Sequence, residues 1–171
     1  MAYFKSTSGL RGSELEDMIN MTNDLYLKQG LGVIQKIPTP ITPVEMDKEH
    51  KKITLAYFEK KSTVDYIGVA QGVPIAFDAK ETNLTSMPLN NIHDHQVEFM
   101  KEFQKQKGIS FFIFYYKKVD KVFLVPLDKY LELVNSSDKK SISYKMFDEK
   151  YEMKIERLTY INYLNKLNNF I

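Results

Sequence analysis

Apolar residues recur at helical spacing just after Gly12 and Ser13, where Leu15, Met18, Ile19, Leu25 and Tyr26 mark one face and Gly30 supplies a stop. This pattern predicts a first helix. Ser13 and Glu16 fit the S-x-x-E capping box, in which the glutamate returns to the cap's own amide. LGVIQKI then reads as a short strand. PTPITP places three prolines in six residues, which excludes helix and central strand and favours a stiff, extended arm projecting from the body. The charged stretch EMDKEHKK leads into ITLAYFEKK, so residues 37–54 are expected to form an excursion between two strands rather than a domain linker.

The stretch STVDYIGVAQGVPIAFDAKET, residues 62–82, alternates as a hairpin, and NLTSMPLNNIH after it reads as a loop. DHQVEFMKEFQKQKG sets Val97, Met100 and Phe103 on one helical face ending at Gly108. ISFFIFYYKK and KVFLVPL, parted by Val119 and Asp120, predict a second pair of strands, the first apolar enough to be buried on both faces. DKYLELV predicts a short helix, NSSDKKS a loop, and ERLTYINYLNKLNN a final helix carrying Leu158, Ile161, Leu164 and Leu167. This order of elements predicts an α/β fold, a mixed central sheet flanked by helices.

Composition narrows the picture modestly. A chain of 171 residues with 43% hydrophobic content is enough for one domain over residues 1–171. The formal net charge of +2 does not by itself point to a polyanion, so any nucleic-acid surface must be a local patch. With no cysteine, disulfides, thiolate metal sites and cysteine nucleophiles are excluded, and a reducing compartment fits. No apolar run approaches the roughly 18 residues of a membrane span, and MAYFKSTSGLRGSE lacks the apolar core of a signal peptide. A soluble, cytoplasmic protein with no membrane partner is expected.

The candidate chemistry lies in the hairpin. A two-residue turn at Gln71 and Gly72 sets Ala70 opposite Val73, and the same register brings Asp65 opposite Asp78 and Thr63 opposite Lys80, all four on one face. Opposed residues have β-carbons about 4.5 to 5.5 Å apart, and two like charges there need neutralising. A divalent cation would do so. Two carboxylates with a main-chain carbonyl, that of Ala79, and waters suit Mg2+ or Mn2+ rather than zinc. Lys80 is placed to orient water or to steady developing phosphate charge. Val64, Tyr66, Val73, Ile75, Phe77 and Ala79 form the opposite face, so the charges sit at one end of an otherwise apolar strand pair. Acid-x-Lys also occurs at Glu49, Glu59, Asp138, Asp148 and Glu152, none of them in an apolar strand, so the tripeptide alone carries little.

An aspartate before a hairpin turn and acid-x-Lys after it resembles the PD-(D/E)xK nucleases of the restriction-endonuclease-like fold. The segments GLRGSELEDMINMTNDLY, IQKIPTP, STVDYIGVAQGVPIAFDAKET and SMPLNNIHDHQVEFM, in order from about Gly9, resemble the RecU family of Holliday junction resolvases. The resemblance implies a structure-selective endodeoxyribonuclease that hydrolyses phosphodiesters of four-way DNA junctions in recombination and repair, as a homodimer using Mg2+ or Mn2+. Recombination proteins are candidate further partners. It implies that Asp65 and Asp78 hold the metal and that Lys80 assists the attacking water. Glu16 would match the family's N-terminal acidic position, a role that competes with its capping box. Gln96 matches a polar helix position near the scissile phosphate, IQKIPTP the start of a DNA-entering stalk, Lys36 a backbone contact, and Arg11 a phosphate contact; Thr63 is a further DNA-binding candidate. Two departures stand out. Position 78 is aspartate where the family usually shows glutamate, and the chain starts close to its first helix without a long basic leader, which implies weaker affinity for plain duplex.

His93 and His95 flank Asp94, but His-x-His at a helix start is expected to cap the helix or meet phosphate rather than ligate metal. FFIFYYKK is expected to be a buried strand rather than a base-stacking surface. Two alternatives to junction cleavage stay open: a nuclease acting on another DNA structure, and a catalytically reduced junction-binding protein.

Overall fold

The computed structural model describes residues 13–58, 63–136, 139–156 and 160–170. Helix α1, Glu14–Gln29, opens on the expected capping box: the Glu16 amide donates to Ser13 Oγ at 3.2 Å and the Ser13 amide to Glu16 Oε2 at 3.1 Å. It closes at Gly30, whose φ of 68° is left-handed and favours glycine. Leu15, Met18, Ile19 and Tyr26 are buried as the spacing requires, joined by Thr22 and Asn23.

Strand β1, Gly32–Lys36, follows. β2, Ile41–Asp47, and β3, Lys52–Phe58, pair with each other as a separate two-stranded sheet, exposed along nearly its whole length. Pro43 lies next to a break in register on this hairpin, where a missing N–H costs least. ITLAYF forms the second strand of this hairpin and pairs with no strand of the main sheet. β4, Tyr66–Ala70, and β5, Val73–Thr82, form the central hairpin, turning at Gln71 (φ 49°) and Gly72 (φ 84°). Ala70 faces Val73 and Tyr66 faces Phe77, the expected register.

The segment expected as a loop after β5 carries a short strand, β6, Ser86–Pro88, and a 3-10 turn, Leu89–Asn91. Helix α2, Asp94–Lys105, caps at Gln106 rather than Gly108, and Lys107 takes the left-handed φ of 67°. β7, Ile109–Tyr116, and β8, Lys121–Pro126, are the second strand pair, with β7 buried on both faces. Helix α3, Leu127–Asn135, strand β9, Ser141–Ser143, which pairs with β6, and strand β10, Glu152–Met153, complete the other side. The long final helix is not formed. Glu156 bridges to Tyr160, α4 spans only Tyr163–Leu167, and a 3-10 turn follows at Asn168–Phe170; Leu158 lies outside the described residues.

The main sheet runs β1-β4-β5-β7-β8-β10, with β5 and β7 parallel and the other neighbours antiparallel. This is the expected mixed sheet between helices. One face packs under α1 and the C-terminal segment through Tyr66, Phe77, Phe111, Ile113 and Tyr163; the other packs under α2 and α3 through Ala76, Phe112, Phe114 and Val125. Tyr66, Phe77 and Phe111 stack across three strands at 4.8 and 4.7 Å between ring centroids, which locks the register of the hairpin that carries the charges. Among the described residues no helix is long and apolar enough to cross a membrane.

Candidate active site

The β4–β5 ladder stops at Tyr66 and Phe77, one step short of the acidic pair. There Asp65 divides its contacts. Its main-chain carbonyl accepts the Ile37 amide at 2.8 Å, which continues the β1–β4 pairing, while its carboxylate Oδ2 accepts the Ala79 amide at 2.9 Å. A side chain thus replaces the main chain of β4 as the partner of β5, opening the sheet where the carboxylates meet. In an extended strand the N–H and C=O of one residue point the same way, so the Ala79 carbonyl also faces this opening.

Asp78 lies on the α2 face of β5 and its side chain is fully buried. Gln96 Nε2 donates to Asp78 Oδ1 at 2.6 Å, while Gln96 Oε1 accepts the His93 amide at 3.3 Å. The glutamine therefore spans from the start of α2 to the carboxylate. Lys80 Nζ lies 2.6 Å from Asp78 Oδ2 and forms an ion pair with that buried oxygen, which has no further hydrogen-bond partner among the described residues. Burial, reinforced by the Asp65 carboxylate and opposed by the Lys80 ammonium, pushes the Asp78 carboxyl up to about 8.

This donor set fits a hard cation. A buried carboxylate oxygen is met by no group but the Lys80 ammonium among the described residues, a second carboxylate sits close enough to raise its pKa, and a carbonyl faces the same gap. Among the described residues no three acidic or histidine side chains cluster around one point while Glu16 is held by Lys36 and the Ser13 amide, so in this arrangement a cation would rest on Asp65, Asp78, the Ala79 carbonyl and water.

Glu16 fulfils the capping expectation and lies near Asp65. It completes the capping box, and it also lines, with Asp65, Lys36, Ile37, Pro38 and Thr39, a cleft of about 380 Å³. Lys36 Nζ meets Glu16 Oε2 at 2.8 Å. Thr63 departs from expectation: pairing ends before it, so it does not face Lys80 and its side chain is exposed. Val64 likewise leaves the Tyr66 face and packs with Ala76 and Phe112 on the other, because the chain bends at Asp65. Arg11 lies outside the described residues. Glu81 has no counterpart among the expectations. Its carboxylate accepts the Leu15 amide at 3.0 Å and Lys117 Nζ at 2.6 Å, pinning the start of α1, and with it Glu16, to the end of β5. Its only signal in the sequence is its place directly after Lys80. His93 and His95 stack at 5.4 Å beside a separate hollow at the start of α2. A further cavity, about 320 Å³, lies at the Gln71 end of the hairpin, away from the carboxylates.

The model of one protein family, described as "RecU: Recombination protein U", matches residues 10–169. A Pediococcus pentosaceus protein named Holliday junction resolvase RecU is 40% identical over 171 residues, covering 95% of this chain and 85% of its own. One of the same name from Staphylococcus epidermidis is 43% identical, covering 95% and 82%. Among solved structures, the Archaeoglobus fulgidus Holliday junction resolvase Hjc aligns with 80% of this chain and 91% of its own at 9% identity and a TM-score of 0.45.

Proposed function

The chain belongs to the recombination protein U family, and from that premise we propose that it is an endodeoxyribonuclease resolving four-way DNA junctions. The observation that carries the proposal is the gathering of Asp65, Asp78 and Lys80 where β4 parts from β5. Asp65, Asp78 and the Ala79 carbonyl would hold Mg2+ or Mn2+, which would supply Lewis-acid stabilisation of phosphoryl charge and make water more acidic. Gln96 holds one oxygen of the Asp78 carboxylate, so the other keeps one direction. Lys80, only 16% exposed, holds its ammonium beside that oxygen, where it orients the attacking water and offsets charge developing on the phosphate. The water oxygen bonds to phosphorus as the bond to the 3′ oxygen breaks, leaving a 3′ hydroxyl on one strand end and a 5′-phosphate on the other.

The β2–β3 hairpin, with IQKIPTP at its root, is the arm that enters the junction, and Lys36 and Thr63 contact backbone beside it. Two symmetric cuts call for two sites, hence a homodimer with two-fold symmetry. Backbone contacts and junction shape dominate binding, which makes affinity steeply salt-dependent. DNA as substrate puts the work in the cytoplasm.

Purified protein is to be incubated with a synthetic mobile junction, with and without Mg2+. Paired cuts in opposing strands are expected with Mg2+ alone, and Asp65→Asn is expected to lower the rate at least about a hundredfold while junction binding persists. Equal cutting of linear duplex and flaps would favour a nuclease of broader substrate, and junction binding without any cleavage would favour a binding protein.

A further inference from the structure

The cleft at the root of the arm holds two acids, Glu16 and Asp65, and one ammonium, that of Lys36. Lys36 is the last residue of β1, and the next residue, Ile37, is bonded to the Asp65 carbonyl, so the ammonium sits at the joint between arm and site. The Glu16 oxygen that Lys36 meets is the same Oε2 that accepts the Ser13 amide. The pair is partly open to water, with Lys36 40% and Glu16 21% exposed. Ion pairs of this exposure are weakly held and readily exchanged.

Both ligands of the proposed reaction compete for this pair. A divalent cation next to Asp65 attracts Glu16, and a backbone phosphate arriving along the arm attracts Lys36. Either one alone must break the ion pair and leave one partner uncompensated in the cleft. Together they exchange one pair for two, Glu16 with cation and Lys36 with phosphate. The charge in the cleft, −1 from two carboxylates and an ammonium, becomes zero when a divalent cation and a singly charged phosphodiester are added.

We propose that Lys36 and Glu16 are an exchangeable pair: junction phosphate takes the lysine, the divalent cation takes the glutamate, and each ligand thereby strengthens binding of the other. Lys36 is a positioning residue in this scheme, acting on the metal site through Glu16. The capping box gives the exchange a fixed pivot, since the Glu16 main chain stays anchored through its bond to Ser13 Oγ while the carboxylate changes partner. The inference rests on the proposed junction-cutting reading and adds to it a reason for the metal site to remain weak until DNA is seated.

The test is titration of the full-length protein with Mn2+, read by electron paramagnetic resonance, without and with a four-way junction whose integrity is checked by gel after each series. In the wild type the junction is expected to tighten Mn2+ binding by about tenfold or more, within the usual range of coupling between sites. In Lys36→Gln, Mn2+ binding to the DNA-free protein is expected to tighten a few-fold, and the added effect of the junction to fall towards none. Lys36→Arg keeps charge and pairing and is expected to behave as wild type; Lys105→Gln, a charge removed from the far end of α2, controls for net charge. Unchanged Mn2+ affinity in DNA-free Lys36→Gln, or an undiminished junction effect in that variant, overturns the exchange. If that happens while the wild type still cuts junctions with Mg2+, only the exchange is lost; a wild type that neither binds Mn2+ nor cuts removes the functional reading as well.

Discussion

Asp78 is the residue on which burial and charge conflict most directly. Its carboxyl is fully buried and pushed up to about 8, first by burial and then by Asp65, against the pull of Lys80. In the unfolded chain the same group ionises near 4. Between those values the folded protein keeps a proton that the unfolded chain releases, so stability falls as pH rises through that window and levels off above it. Calorimetry in EDTA is expected to show the melting temperature of the wild type dropping by on the order of 5 °C more than that of Asp78→Asn between pH 5 and pH 8.5. Mg2+ favours the ionised form, so its stabilising effect should grow with pH over the same range. Parallel curves for the two proteins would assign the dependence to another group. The acidic pair and Lys80 were legible because an apolar strand pair has no other use for three charges. What happens at Thr63 was not. Alternation predicts a face only while the strand lasts, and with the Asp65 side chain taking the Ala79 amide the ladder ends at Tyr66, three residues short of Thr63.

At the scale of elements, the site depends on how α2 is attached to β5. Gln96 closes the start of α2 on the His93 amide with one end of its amide and holds Asp78 with the other, so helix placement and carboxylate orientation share one side chain. Gln96→Ala removes both bonds and leaves a buried carboxylate oxygen without a donor, a loss of roughly 2–3 kcal/mol. A lower urea midpoint with unchanged slope should report it. Cutting should slow by more than tenfold while the junction Kd stays within a few-fold, because Gln96 acts on Asp78 rather than on the DNA backbone. A variant with a full loss of stability and wild-type kcat would show that the glutamine only caps the helix. Helix α2 itself was readable from Val97, Met100 and Phe103. The last helix was not, although Ile161 and Leu167 are buried much as a helix would bury them. Apolar spacing records which residues reach the core, and in the segment around Tyr160 a bridge and a short helical turn deliver them as well as one long helix would.

For the molecule as a whole, the decisive feature is that an exposed hairpin leaves and re-enters the body at a single point. Ile37 before it is bonded to Asp65 beyond it, and the β2–β3 hairpin, Ile41–Phe58, pairs with no strand of the main sheet. Prolines mark this segment in the sequence, but alternation in ITLAYF says that a strand forms without saying which strand it joins. Replacing residues 41–60 by a short Gly-Ser linker shortens a loop whose closure entropy changes only slowly with length, so the melting temperature should stay within about 3 °C of the full chain. Mn2+ binding in the absence of DNA should also persist, since Asp65, Asp78, Glu16 and Lys36 all remain. Preference for a four-way junction over duplex, measured by competition binding at fixed salt, should fall at least tenfold. A shortened protein that kept its preference would place shape recognition on the body of the fold, and one that lost Mn2+ binding would show that the hairpin supports the carboxylates directly instead of only presenting DNA to them.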